Sequence, residues 1–168
     1  MMTLFSENNL FIIRSFVLSD IDDFCLVVMD AQCMKYCPTG KLTRHQAESL
    51  FKIINKQEVG ERSRLLAIED KTSDHVVGFV GLQECCAEDE LGLSFVFRLL
   101  PDFFNSPSVV LLFEQLIHNM FSIYQLNSMQ AIVAKNNHAT ISIMESLHFK
   151  QVKKVDCRGR ESFLYQYP

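Results

Sequence analysis

Residue types that could do chemistry are sparse and scattered in this sequence of 168 residues. The five histidines are isolated, and none has a sequence partner that would make a catalytic triad or a metal pair. The six cysteines (Cys25, Cys33, Cys37, Cys85, Cys86, Cys157) show no repeated C-x-x-C and no histidine at zinc-ligand spacing. They read as reduced, small apolar fillers. Glu84, beside Cys85-Cys86, and Glu69 end strand-like runs and are the carboxylates best placed to face a cleft and accept a proton, although a carboxylate in such a place is more often a solvated strand-end charge. Thr140 follows Asn137 by three residues and brings a hydroxyl into the first turn of a helix. That hydroxyl can bond to the local backbone as part of the cap.

These groups must be held by an alternation of strands and helices. Residues 10–16 are β-branched and aromatic and predict a strand, followed by Ser19-Asp20 as the cap of a helix over 21–29. After the loop Cys37-Pro38-Thr39-Gly40, Thr43 caps a helix whose apolar positions Ala47, Leu50, Phe51 and Ile54 recur at helical spacing. Strands over 64–69, 75–83 and 91–98, separated by a polar stretch at 70–74 and an acidic turn at 87–90, then make an antiparallel meander. Gly78 and Gly81 inside a strand mark a bulge or a close approach of backbones.

At Pro101 the period changes. Val109, Leu112, Phe113, Leu116, Ile117, Met120, Phe121 and Tyr124 form one apolar stripe, which predicts a helix from Val109 onward after a loop over 101–108. A strand over 128–134 follows, then a helix capped by Asn137 and running through Leu147, and a final pair of strands over 150–157 and 162–167. No linker, repeat or low-complexity tract interrupts the chain, so one domain spanning residues 1–168 is expected.

Composition removes several function classes. The net charge is −4, and no basic cluster is longer than Lys153-Lys154, so nothing favours a nucleic-acid partner. The N-terminal residues lack the features of a signal peptide, and no apolar run approaches the span of a bilayer. A soluble, cytoplasmic protein with no membrane partner is the expectation, and the sequence is silent on oligomeric state.

The stretch from Val133 to Phe149 resembles the GNAT acetyltransferase pattern V-x-x-x-N-x-x-S, a helix, then L-G-F. Asn137 stands for the family Asn, Thr140 for the Ser, Glu145 for the common Glu, and Leu147 and Phe149 flank the usual Gly, here His148. The order of elements over about residues 9–167 is similar too, particularly to the branch that acetylates ribosomal-protein N-termini. The resemblance implies an α/β (α+β) GNAT fold: a mixed central sheet of about six or seven strands, about four helices, and two central parallel strands, 91–98 and 128–134, that splay apart. It implies acetyl-CoA as acyl donor, an amine as acceptor (a peptide N-terminus or a small molecule), and no metal.

The resemblance also assigns residues. Backbone N–H groups around Val96, Phe97 and Arg98 would polarise the thioester carbonyl. The segment Phe103, Phe104, Asn105, Ser106, Pro107, Ser108 and Val109, at a helix start whose unpaired N–H groups suit a diphosphate, would hold the cofactor phosphates. Asn137 and Thr140 would lie near the pantetheine and the thiol, with Thr140 as proton donor and Glu84 as candidate base. The loop departs from the family's R/Q-x-x-G-x-G/A: Asn105 and Pro107 stand where glycines usually stand, and no Arg or Gln leads it. Asn tolerates positive φ, whereas Pro deletes an N–H donor. His148 is expected in the left-handed conformation that ends the helix. The missing glycines leave a second reading open, a GNAT-shaped binding module that has lost transfer chemistry.

Overall fold

The computed structural model describes residues 2–58, 61, 63–87 and 90–168. Among them, eight strands form one sheet: β1 (Leu4–Glu7), β2 (Phe11–Arg14), β3 (Arg64–Asp70), β4 (His75–Ala87), β5 (Glu90–Leu99), β6 (Met129–Ala134), β7 (Lys150–Cys157) and β8 (Arg160–Tyr167). Their spatial order is β1-β2-β3-β4-β5-β6-β8-β7, and every neighbouring pair is antiparallel except β5 beside β6. The sheet is wider than expected by β1, whose four residues are too few to carry a readable alternation; it forms by pairing Ser6 with Ile13 and Glu7 with Ile12. The expected acidic turn at Glu88 and Asp89 lies outside the described residues.

Helices α1 (Ile21–Met29) and α2 (Arg44–Ile54) cover one face, and α3 (Pro107–Tyr124) and α4 (His138–Ser146) the other. On the α3 side, Phe95, Phe97 and Leu99 of β5 pack with Ala131 and Val133 of β6 under the apolar stripe of α3. Seven of the eight stripe residues are buried and Phe121 is half-buried, each buried one contributing about 1.5–3 kcal/mol of transfer free energy. On the other face Phe24, Val27, Val28, Ala47 and Phe51 close over Ala67, Val76 and Phe79. No helix is long and apolar enough to cross a membrane among the described residues.

Local chemistry accounts for most element ends. Thr43 and Gln46 cap α2 reciprocally, the Gln46 N–H on Thr43 Oγ1 and the Thr43 N–H on Gln46 Oε1. Both strand glycines are close approaches: a Cβ on Gly78 would strike the Arg98 carbonyl, and one on Gly81 the Arg64 carbonyl. A bulge also falls here, between Ile68 and Glu69. The expected Asp20 cap does not form. Asp20 sits in a short 3-10 turn (Leu18–Asp20), makes no side-chain bond into α1, and turns instead to Arg14.

Arg14 is the electrostatic joint of this half of the fold. Its side chain is 6% exposed; Nη1 and Nη2 donate to the two Asp20 oxygens at 2.8 and 3.0 Å, Nε to Glu69 at 2.6 Å, and Nη1 also to the Ser15 carbonyl at 3.1 Å. The hydrogen bond with Asp20, opposed by burial and aided by Glu69, raises the Arg14 pKa. Two anions around one buried guanidinium tie β2, β3 and the entry to α1 together. Removing one partner leaves a buried charge under-compensated, so Asp20→Ala is expected to cost about 3–5 kcal/mol in urea unfolding. A loss under about 1 kcal/mol would show that water replaces the carboxylate there.

Candidate functional site

Strands β5 and β6 are parallel, yet they meet in register at only one pair, Ser94 with Gln130. On its other side β5 keeps an unbroken ladder with β4, from Gly78↔Leu99 to Ala87↔Glu90. A gap therefore opens between the C-terminal halves of β5 and β6. The Leu100 N–H donates to the Val77 carbonyl across to β4. By the two-residue alternation of an antiparallel ladder, Val96 and Arg98 spend their backbone groups on β4, while Phe97 and Leu99 turn theirs into the gap. Of the three residues expected to polarise a carbonyl through the backbone, Phe97 alone faces the right way. Its carbonyl accepts from Arg98 Nη1 at 2.7 Å and that of Leu99 from Cys33 Sγ at 3.1 Å, which leaves the two N–H groups as the donors along this edge.

Because both strands run the same way, each delivers its following helix to the open end of the gap. On one bank, Pro101–Phe103 form a 3-10 turn and α3 begins at Pro107, two residues earlier than expected, since a proline's fixed φ suits the first helical position. The N–H groups of Phe103, Phe104, Ser106 and Val109 are consumed by turn bonds to Leu100, Pro101, Phe103 and Ser106. Those of Asn105 and Ser108 find no acceptor among the described residues, and Pro107 has none to offer. Asn105 keeps a negative φ, so the left-handed tolerance expected of it is not used. The Phe103 and Phe104 rings turn to the core, edge-on to Phe11 at 5.9 Å and tilted on Phe97 at 6.0 Å, and anchor the loop instead of lining it. Asn8 Nδ2 pins the first turn of α3 through the Ser108 carbonyl at 2.8 Å.

On the other bank, Asn137 caps α4: its Oδ1 accepts from the Thr140 N–H at 3.3 Å. The cap thus uses the Thr140 backbone. The half-buried Thr140 hydroxyl makes no hydrogen bond among the described residues, so local capping does not account for it. His148 takes φ 67°, the expected left-handed ending.

Neither carboxylate joins this group. Glu69 is held by Arg14. Glu84 pairs with Leu93, is exposed, and by alternation shares the face of Leu82 and Phe95, at the end of β5 remote from the open gap. A cavity of about 710 Å³ also lies at that remote end, between Gly92, Asn127, Ser128 and Gln130. Among the described residues no three His, Cys, Asp or Glu side chains are grouped to hold a metal.

The α1 side of the gap carries residues that sequence reading passed over. The segment 30–40 reaches across it, with Cys33 on the Leu99 carbonyl at one end and the Tyr36 hydroxyl donating to the Asn136 carbonyl at 3.0 Å at the other. Burial and the nearby Asp30 push the Cys33 thiol up to about 12. Burial also pushes the Cys37 thiol up, but Thr39, whose Oγ1 is 3.3 Å away, and Arg98 outweigh it and leave that thiol below its ordinary value. No local signal could have found these pairings, since Tyr36 and Asn136 are 100 residues apart.

Comparison with known proteins agrees with this geometry. Residues 11–150 match the family profile of the acetyltransferase (GNAT) domain. No curated protein matches the sequence. Among solved structures, an acetyltransferase of the GNAT family from Bacillus anthracis superposes with a TM-score of 0.79 at 14% identity, covering 98% of each chain. The ribosomal-protein-S5-alanine acetyltransferase from Vibrio fischeri gives 0.78 at 12% identity over 98% of this chain and 96% of its own. Spermidine N-acetyltransferase from Vibrio cholerae, in complex with CoA and spermine, gives 0.75 at 16% identity over 95% and 96%.

The two thiols should separate in reactivity. At neutral pH a maleimide is expected to label Cys37 well ahead of Cys33, read by peptide mass spectrometry over time. Equal labelling rates would mean that Thr39 and Arg98 do not favour the Cys37 thiolate.

Proposed function

The chain belongs to the GNAT acetyltransferase family and is an acyltransferase, and from that premise we propose that it transfers acetyl from acetyl-CoA to the amine of a peptide N-terminus or a small molecule, through the gap between β5 and β6. The observation that carries this reading is the parting of two parallel strands beyond Ser94 and Gln130, with the starts of α3 and α4 at the open end. Such an opening admits a slender arm between the strands, with the N-terminus of α3 offered to its charged end and the first turn of α4 to its thiol end. The CoA bound in the Vibrio cholerae structure, whose fold this chain shares, supports the choice of donor.

In this reading the donor brings a thioester and the chain does the rest. The Phe97 N–H, fixed in the strand edge, stabilises negative charge developing on the carbonyl oxygen. The Thr140 hydroxyl, without a hydrogen-bond partner among the described residues, supplies the proton that the departing thiolate needs. The acceptor amine comes from the α1 side, under the segment 30–40, and attacks in its neutral form; the proton its nitrogen sheds as the amide forms passes through solvent and restores the Thr140 hydroxyl. The N–H groups of Asn105 and Ser108 take the phosphates in place of a glycine-rich loop.

Acetyl-CoA is expected to raise the melting temperature, because a ligand of the native state stabilises it by mass action. Pro107→Ala restores one N–H at the first position of α3 and is expected to tighten the dissociation constant about tenfold at fixed salt, the worth of a hydrogen bond to a charged group. Absence of any stabilisation by acetyl-CoA would sink the donor assignment. Weaker binding by Pro107→Ala would instead give the proline a role in presetting the loop.

Thr140→Ala leaves the Asn137 cap on the backbone intact and is expected to lower kcat about 100-fold with little change in acetyl-CoA affinity, while Thr140→Ser retains activity. Unchanged turnover in the folded alanine variant would remove Thr140 from the chemistry. Binding without turnover by the wild type, across amines and N-terminal peptides, would favour the binding-module reading.

A further inference from the structure

We propose that the Arg98 side chain is the acceptor's anion receptor, so that the preferred substrate is a small amine carrying a carboxylate a few bonds from the nitrogen, as an amino acid does. The inference rests on the transfer reading for the position of the acyl donor, and on the surroundings of Arg98 for the rest.

Arg98 lies on β5 with its side chain on the α1 face, in line with Ser94 and Val96, and it is half-buried. Its Nη1 folds back on the Phe97 carbonyl at 2.7 Å, which holds the guanidinium at the rim of the gap. The groups around it are thiols and hydroxyls: Cys33 and Cys37, both of which feel its charge, with Thr39 against Cys37. The carboxylate on the same segment, Asp30, accepts from the N–H groups of Gln32 and Cys33 at 2.8 and 2.7 Å and serves the turn there. Among the described residues Arg98 forms no ion pair with a carboxylate. A guanidinium offers five donors, and one anchored by the Phe97 carbonyl and touching the Cys37 sulfur still keeps part of its fork for a ligand.

Position sets the scale of that ligand. Phe97, whose carbonyl steadies Arg98, is the residue whose N–H faces the reacting carbonyl. A carboxylate on the guanidinium therefore has its amine within a few bonds of the acyl carbon. The Tyr36 to Asn136 hydrogen bond closes the same side over the gap, which suits a compact acceptor better than an extended chain. A polycation such as the spermine held by the Vibrio cholerae enzyme would meet like charge at Arg98.

The test uses matched pairs, amino acids against their carboxamides, with rates read as free-thiol release from acetyl-CoA. In the wild type the acids are expected to exceed the amides in kcat/KM by about tenfold or more, mainly through KM. That ratio should fall to near one in Arg98→Gln, survive in part in Arg98→Lys, and persist in Cys37→Ser. A second readout needs no turnover: N-acetyl amino acids, but not their amides, should raise the melting temperature of the CoA-saturated protein, and Arg98→Gln should abolish the difference. A ratio near one in the wild type, a ratio unchanged by Arg98→Gln, or no acid-specific stabilisation each overturns the assignment. Stabilisation by acetyl-CoA without an acid preference leaves acetyl transfer standing and removes this inference alone. An acid-specific shift in protein that ignores acetyl-CoA removes the transfer reading instead.

Discussion

Beyond Ser94 and Gln130 the parallel strands β5 and β6 share no register pair, and the arrangement of the candidate site follows from that one break in the sheet. A closed ladder would satisfy the backbone of Phe97 and Leu99. An open one leaves their polar groups at a strand edge inside the molecule, where they need partners. The chain supplies partners for the carbonyls, from Arg98 and Cys33, and none among the described residues for the N–H groups. The edge is thus biased toward donating hydrogen bonds, which is what an oxygen gaining negative charge requires.

The sheet separates two tasks. Its α3 face is a continuous aromatic and aliphatic core, in which Phe95, Phe97 and Phe113 meet with ring centroids 5.1–6.3 Å apart and fix where α3 begins. Its α1 face is covered by α1, α2 and the segment 30–40, and there the partly buried polar side chains Arg98, Cys37 and Tyr36 gather. Arg14 with Asp20 and Glu69 locks the entrance of α1 to β2 and β3, and that helix leads directly into the segment over the gap. A rigid core on one side therefore presents the donor bank, while the α1 side shapes what the acceptor meets.

Signals local in sequence were legible. The change of period at Pro101 located α3 because a stripe repeating over many residues has no other explanation, and the Asn137 to Thr140 spacing located the cap of α4 because capping needs residues three apart. His148 was read correctly as left-handed from its place between Leu147 and Phe149. Strand β1 was missed because it exists only through its pairing with β2. The first position of α3 was placed two residues late because the apolar stripe begins only at Val109, whereas the helix already starts at the proline. Glu84 looked like a cleft residue because a strand-end carboxylate gives no hint of which face it occupies; that depends on register, and one residue of register reverses it.

The sequence by itself determined most element types, the caps of α2 and α4, the donor lost at Pro107 and, through the Asn137 to Phe149 motif, the family. These depend on interactions within a turn or two of one element, where order along the chain is order in space. Only the tertiary structure decided that Phe97, and neither Val96 nor Arg98, faces the gap, that Asp20 serves Arg14 and not α1, and that Cys37, Tyr36 and Arg98 share one side of the site. Those facts arise from strand register and from contacts between residues as far as 100 positions apart, which the packing of the whole chain sets.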